Sequence, residues 1–292
     1  MFCAPGIKGN GRSCLDRPAL MRIADTHNRK YPLKKISYDS KTTDSQLWEK
    51  IRDTFANVCG NQEWCWLDQK MLKEEKVLHK YYKPPQPETK TKWLSTSDIT
   101  DVLRQFERIY QDFAFMGTVP IDFDHVIEEY SRMNLCAFQK AEGLPLSNGT
   151  NPYRGRIINK VGFVFNLDPH YKKGSHWVSM FMDLSVKKPY IGYFDSYGYC
   201  PPPKEITQLM DRIKEQAKKC LGVDLIKKCN TIRHQRKGTE CGTYSLYFIY
   251  NSLLGKTFEQ ITENIILDDD VNMYRDFFFR PSLRQSEDQI DL

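Results

Sequence analysis

The stretch HQRKGTECGTYSLYFIYNSLLG, residues 234–255, decides how this chain is read. Residues 241–254 are too apolar and too many for an ordinary strand, and Gly255 follows where a helix C-terminus favours glycine. The pattern predicts a buried helix beginning at Cys241. The first N–H groups of a helix lack intrahelical partners, and the positive end of its dipole favours an anion. A thiol on that turn can ionise and attack a carbonyl carbon. A cysteine alone is more often packing material, so the chemistry depends on what accompanies it.

Two segments upstream supply the company. HWVSMFMD (176–183) and YIGYFDS (190–196) read as strands, and an apolar strand has no packing reason to begin with His176. A hairpin placing His176 opposite Asp195 centres its turn between Ser185 and Val186, within the polar stretch 185–189. A carboxylate there orients an imidazole and stabilises its charge. Gln235 lies six residues before Cys241. Its amide and the Cys241 backbone N–H are the two donors that a developing oxyanion requires.

Together, His176-Trp177, Asp195-Ser196 and Gln235-x5-Cys241-Gly242 resemble the signature of the SUMO-deconjugating and adenovirus-type cysteine peptidase superfamily. The order His, Asp, Gln, Cys matches, as do the spacings of 19, 40 and 6 residues. The resemblance covers about residues 93–279. It implies an α+β fold with a papain-like, adenovirus-protease-like core: a central mixed sheet flanked by helices. It further implies Cys241 as nucleophile, His176 as general base and then acid, Asp195 as its orienting partner and Gln235 as oxyanion donor. Trp93-Leu94 is similar to the family's Trp-Leu motif, whose tryptophan roofs a tunnel for slender residues, typically paired glycines. Trp177 is then expected beside the site. Two departures stand out: the residues after Leu94 are STSD where Asn-Asp is usual, and Glu240 replaces the common Asp.

Three functions stay open on this reading. The overall likeness is to the capsid and polyprotein maturation proteases of large DNA viruses, which cleave after Gly-Gly-type sites. A deconjugase for SUMO or another ubiquitin-like modifier is the second, and an inactive peptidase-fold binding module the third. The complete set of four residues weighs against the last. No cofactor or metal is implied, because no histidine or cysteine shows ligand spacing.

Outward from this core, Ser95 and Asp98 form a capping-box pattern before Ile99, Val102, Leu103 and Phe106. Pro201–Pro203 open a helix, residues 224–234 suggest a strand, Thr257 with Gln260 opens another helix, and 268–279 a last one. Toward the N-terminus, Ser13 and then Asp44 or Ser45 are candidate caps of two helices. The proline- and lysine-bearing stretch 80–92 reads as a linker, which divides the chain into a helical arm (1–92) and a catalytic domain (93–292). Residues 1–92 hold 18 of the 43 Lys and Arg and 11 of the 37 Asp and Glu, so the arm carries +7 and the remainder −1. Such asymmetry suggests contact with nucleic acid or with core proteins.

The composition, 40% hydrophobic and 27% charged, excludes wholesale disorder and coiled coils. The N-terminal residues lack the apolar region of a secretory signal, and no stretch is apolar enough for a bilayer span. The expectation is therefore an intracellular protein, in virion and host cytoplasm if viral, or nucleus or cytoplasm if a cellular deconjugase. Nine cysteines, an odd count, are then expected as reduced thiols.

Overall fold

Five apolar segments, β1 (Phe113–Pro120), β2 (Lys160–Asn166), β3 (Trp177–Asp183), β4 (Tyr190–Phe194) and β5 (Ile226–Cys229), pair in chain order into one sheet. β2, β3 and β4 are antiparallel, while β1 is parallel to β2 and β5 to β4. The computed structural model describes residues 2–9, 11–89 and 91–282. The sheet lies in a unit spanning Thr89–Phe277; Met1–Glu88, with the segment from Phe278, forms a second.

Strands β3 and β4 are buried along their whole length, as in a sheet covered on both faces. Alternation sorts the side chains. Val161, Phe163, Phe165, Val178, Met180, Met182, Ile191 and Tyr193 share a core with Ile206, Leu209, Met210 and Ile213 of helix α4 (Lys204–Leu221). The other face meets α5 (Cys241–Leu253), where Phe194 stacks on Phe248 with ring centroids 5.0 Å apart. A side chain at Gly192 would come within 2.5 Å of Phe258, in α6 (Phe258–Thr262). Helix α5 is apolar all round because it lies inside the protein. α3 (Thr96–Phe106) begins at the anticipated Ser95–Asp98 capping box, and α7 (Asp268–Phe278) closes the series.

Three sequence expectations change at this level. β1 was not anticipated: FAFMGTVP shows no alternation, and its register slips between Phe115 and Thr118, where Gly117 takes φ 102°. The hairpin register also differs. Ser179 faces Phe194 and Asp183 faces Tyr190, so the pairing is displaced by two residues from the one inferred. A shift of two preserves which side chains share a face, and His176 and Asp195 still meet, on a diagonal rather than directly opposite.

The third change concerns the cysteines. Eight are paired, as Cys3–Cys14, Cys59–Cys65, Cys136–Cys220 and Cys200–Cys229, and Cys241 is free. The expectation of nine reduced thiols is therefore corrected. Sequence spacing hid the pairs because two of them span 84 and 29 residues and close only when the sheet and its helices assemble.

The N-terminal unit is built on α1 (Arg17–Lys30) and α2 (Asp44–Cys59), with Ile23, Ile51, Phe55 and Trp66 at its centre. Asp16 caps α1 by accepting from Ala19 N, and Thr43 caps α2 in a capping box with Gln46. Ser13, the expected cap of α1, instead donates to the buried Glu63 carboxylate, which also accepts from Trp48 Nε1 at 2.9 Å and Cys14 N at 3.1 Å. Arg280 joins this unit by pairing with Asp68, Nη1 to Oδ2 at 2.8 Å. Arg280, which follows α7, thus pairs within the N-terminal unit.

The pairing makes a direct prediction. Denatured, unreduced protein treated with iodoacetamide should gain the mass of one adduct, at Cys241, and reduced protein nine. Nine adducts without reductant would show that the pairs are thiols in close contact rather than bonds.

Candidate active site

Cys241 is the first residue of α5 and 1% exposed. No side chain caps this helix, so the N–H groups of its first turn are left for whatever lies before the sulfur. Gly242 lets the turn approach Leu94 closely: a Cβ there would lie 2.9 Å from that residue's Cβ. His176 stands immediately before β3, and its Nε2 hydrogen-bonds Asp195 Oδ1 at 2.8 Å. The Cys241 side chain is close enough to the ring to act on its charge. The imidazole thus lies between a carboxylate, to which it is bonded, and a thiol.

The electrostatics favour a charged ring. Burial disfavours the imidazolium, but the hydrogen bond to Asp195, the nearby Cys241 side chain and the attraction of both push the His176 pKa up to about 9. At neutral pH a cation therefore faces the sulfur, the setting in which a cysteine becomes nucleophilic. Tyr197 stacks on the other side of the ring, centroids 4.7 Å apart. His234, next to Gln235, is fully buried; its Nε2 bonds the Thr262 carbonyl at 3.0 Å and burial lowers its pKa, so it is a neutral structural residue. His170 pairs with Asp122 on the surface.

Gln235 is fully buried, and its amide orientation is imposed by neighbours. Oε1 accepts from Ser196 Oγ at 2.6 Å, and Nε2 donates to the Lys237 carbonyl at 2.8 Å. An amide nitrogen carries two donors, so one remains for a substrate oxygen. Asp195 is held in turn by Asn230, whose Oδ1 accepts from Asp195 N at 2.9 Å and whose Nδ2 donates to Asp195 O at 2.8 Å. Tyr197 N donates to Asp195 Oδ1 at 2.8 Å. Neither Asn230 nor Tyr197 was foreseen, and Ser196 entered only as part of a motif. An asparagine just after a short strand, where a side chain can bond a neighbouring backbone, was the available signal.

Trp93 and Trp177 come together. Both line a cleft of about 590 Å³ with Leu94, Val119, Asn166 and Gly174. Trp177 is buried and donates from Nε1 to the Leu94 carbonyl at 2.9 Å; Trp93 is 40% exposed.

A profile of the Ulp1 protease family, C-terminal catalytic domain, matches residues 163–288, which hold all four polar site residues. A protein of Acanthamoeba polyphaga mimivirus named for thiol protease activity is 30% identical over 287 residues, 92% of this chain and 89% of that one. The SUMO-1 cysteine protease of African swine fever virus is 31% identical over 212 residues, 73% of this chain and 77% of that one. A crystal structure of the African swine fever virus protease matches with a TM-score of 0.68 at 25% identity, covering 96% of both chains.

The chain belongs to the Ulp1 protease family. It is a cysteine protease, a hydrolase with viral relatives, and its fold is the mixed-sheet core of that class. Among the described residues no cluster of His, Cys, Asp and Glu could hold a metal ion, and no helix is long and apolar enough to cross a membrane.

The raised His176 pKa has a sign that can be checked. A group charged more readily in the folded state stabilises it fully below its ordinary value of 6.5, and that stability is lost as pH rises through about 9. NMR of the imidazole should show His176 titrating near 9, and Asp195→Asn should move it back toward 6.5. A His176 titrating near 6.5 in the unsubstituted protein would contradict the coupling.

Proposed function

We propose that this protease is a thiol endopeptidase that cleaves after Gly-Gly-type sites and processes viral structural polyproteins during particle maturation. The observation that carries the reading is the buried set Cys241–His176–Asp195, with Gln235 oriented beside it. Cys241 attacks the scissile carbonyl while His176 holds the proton; His176 then passes it to the departing amine, and a water completes the hydrolysis. Asp195 keeps the ring oriented and its charge stabilised. The free N–H of the Gln235 amide, with the Cys241 backbone N–H, receives the oxyanion. The likeness of Trp93-Leu94 to the family's Trp-Leu motif, with Trp93 and Trp177 lining one cleft, is what supports slender residues before the scissile bond.

The viral assignment is supported by the extent of the likeness. The mimivirus relative matches 92% of the chain and the African swine fever virus structure 96%, so the N-terminal unit is shared along with the catalytic one. On this reading the basic residues 1–92 contact packaged nucleic acid or core protein. Filter binding should then retain DNA at low salt and lose it steeply as salt rises; no retention at low salt removes the nucleic-acid half.

Cys241→Ser and His176→Ala should abolish turnover without unfolding the protein. Gln235→Ala should lower kcat by about 10²–10³, the range for losing one oxyanion donor, and Asp195→Ala should cost less than His176→Ala. Purified enzyme should cut polyproteins bearing Gly-Gly-Xaa junctions faster than SUMO conjugates. Rapid cleavage of conjugates with polyproteins left intact would make it a deconjugase instead.

A further inference from the structure

Arg275 is fully buried, among the largest side chains with no access to solvent, and the mechanism above does not use it. A buried guanidinium is costly unless its surroundings repay the lost hydration. Its two hydrogen-bond partners are neutral. Nε donates to Thr243 Oγ1 at 3.0 Å, in the first turn of α5, and Nη2 donates to the Lys92 carbonyl at 2.8 Å. Nη1 is buried without a partner.

The two bonds have a consequence for the cleft. Lys92 immediately precedes Trp93, and the carbonyl on the other side of that residue, Leu94 O, accepts from Trp177 Nε1. Trp93 is therefore held by its two flanking carbonyls, one tied to β3 through Trp177 and one tied to the nucleophile helix through Arg275.

We propose that Arg275 is a positioning residue, whose planar fork fixes Trp93 relative to Cys241 and whose charge lies under the first turn of α5. This rests on the reading of Cys241 as nucleophile and Trp93 as the roof of the substrate cleft. Burial lowers the Arg275 pKa, while Glu240, Asp98 and Cys241 act in the opposite direction. The guanidinium and the sulfur thus feel each other. The charged or titratable groups around the sulfur are then His176 with Asp195 behind it, Tyr197, Glu240, Asp98 and Arg275. Lysine keeps the charge but cannot reach both acceptors with one rigid fork; methionine keeps the stem and loses the charge.

The test separates these contributions in folded protein, checked by circular dichroism. Arg275→Lys should alkylate at Cys241 with iodoacetamide at the unsubstituted rate at pH 6, while its kcat/KM on a Gly-Gly substrate falls about tenfold or more. Arg275→Met should lose about tenfold in alkylation at pH 6, because a neighbouring cation favours the thiolate, and more in kcat/KM. Thr243→Val removes only the helix-side anchor and should reproduce the loss in kcat/KM if the Arg275 variants fail to fold. Normal kcat/KM in either Arg275→Lys or Thr243→Val would overturn the positioning role. An unchanged alkylation rate in Arg275→Met would overturn the charge role. Turnover by Cys241→Ser would instead mean that the nucleophile itself is misassigned, an outcome distinct from normal kcat/KM in Arg275→Lys, and would overturn the proposal through the reading it rests on.

Discussion

A carboxylate that is 1% exposed keeps its charge only if its surroundings replace the water it has lost. At Asp195 the replacement is His176, 2.8 Å away, together with the Tyr197 N–H. The rest of the site follows from this bond. It orients the imidazole toward Cys241, keeps that imidazole cationic at neutral pH, and requires the loop after β4 to be held still. Asn230 holds it by two hydrogen bonds to the Asp195 backbone, and Ser196, the next residue, fixes the Gln235 amide. One loop therefore bears on both the His176–Asp195 pair and the Gln235 amide, and an error in its position would disturb both at once.

The same loop must meet the start of α5, which explains the unusual burial of that helix. A surface helix could rock on its apolar stripe; α5 cannot, because the sheet covers one side of it and Phe258 and Leu94 lie against its neighbours and its first turn. Close approach is bought with glycine at two positions where a Cβ would collide, Gly192 and Gly242. Arg275 extends the arrangement to the substrate cleft by joining the Thr243 hydroxyl to the Lys92 carbonyl.

Much of the site was legible in one dimension because its chemistry demands particular residue types. His176 stands out as a polar residue where packing asks for none, Asp195, Gln235 and Cys241 through their spacing and the family signature, and α3 and α6 begin at capping boxes readable from four residues each. The hairpin reached the right pair through a register that was wrong by two residues. The inference survived because strand faces repeat every second residue; a slip of one would have sent Asp195 to the opposite face. β1 was missed for the converse reason, since its glycine bulge and lack of alternation erase the strand period.

The sequence by itself marked His176, Asp195, Gln235 and Cys241 as candidates, predicted a buried α5 and placed the net basic charge in residues 1–92, because composition and local period are properties of the chain alone. Only the tertiary structure decided the partners. Cys136 and Cys220 are 84 residues apart, Arg275 and Lys92 are 183, and Ser196 and Gln235 are 39. Each of these contacts exists only once the sheet and its helices have brought distant segments together, and no local pattern in the chain encodes such a separation. That is why eight of the cysteines read as independent residues until the fold paired them and left Cys241 free.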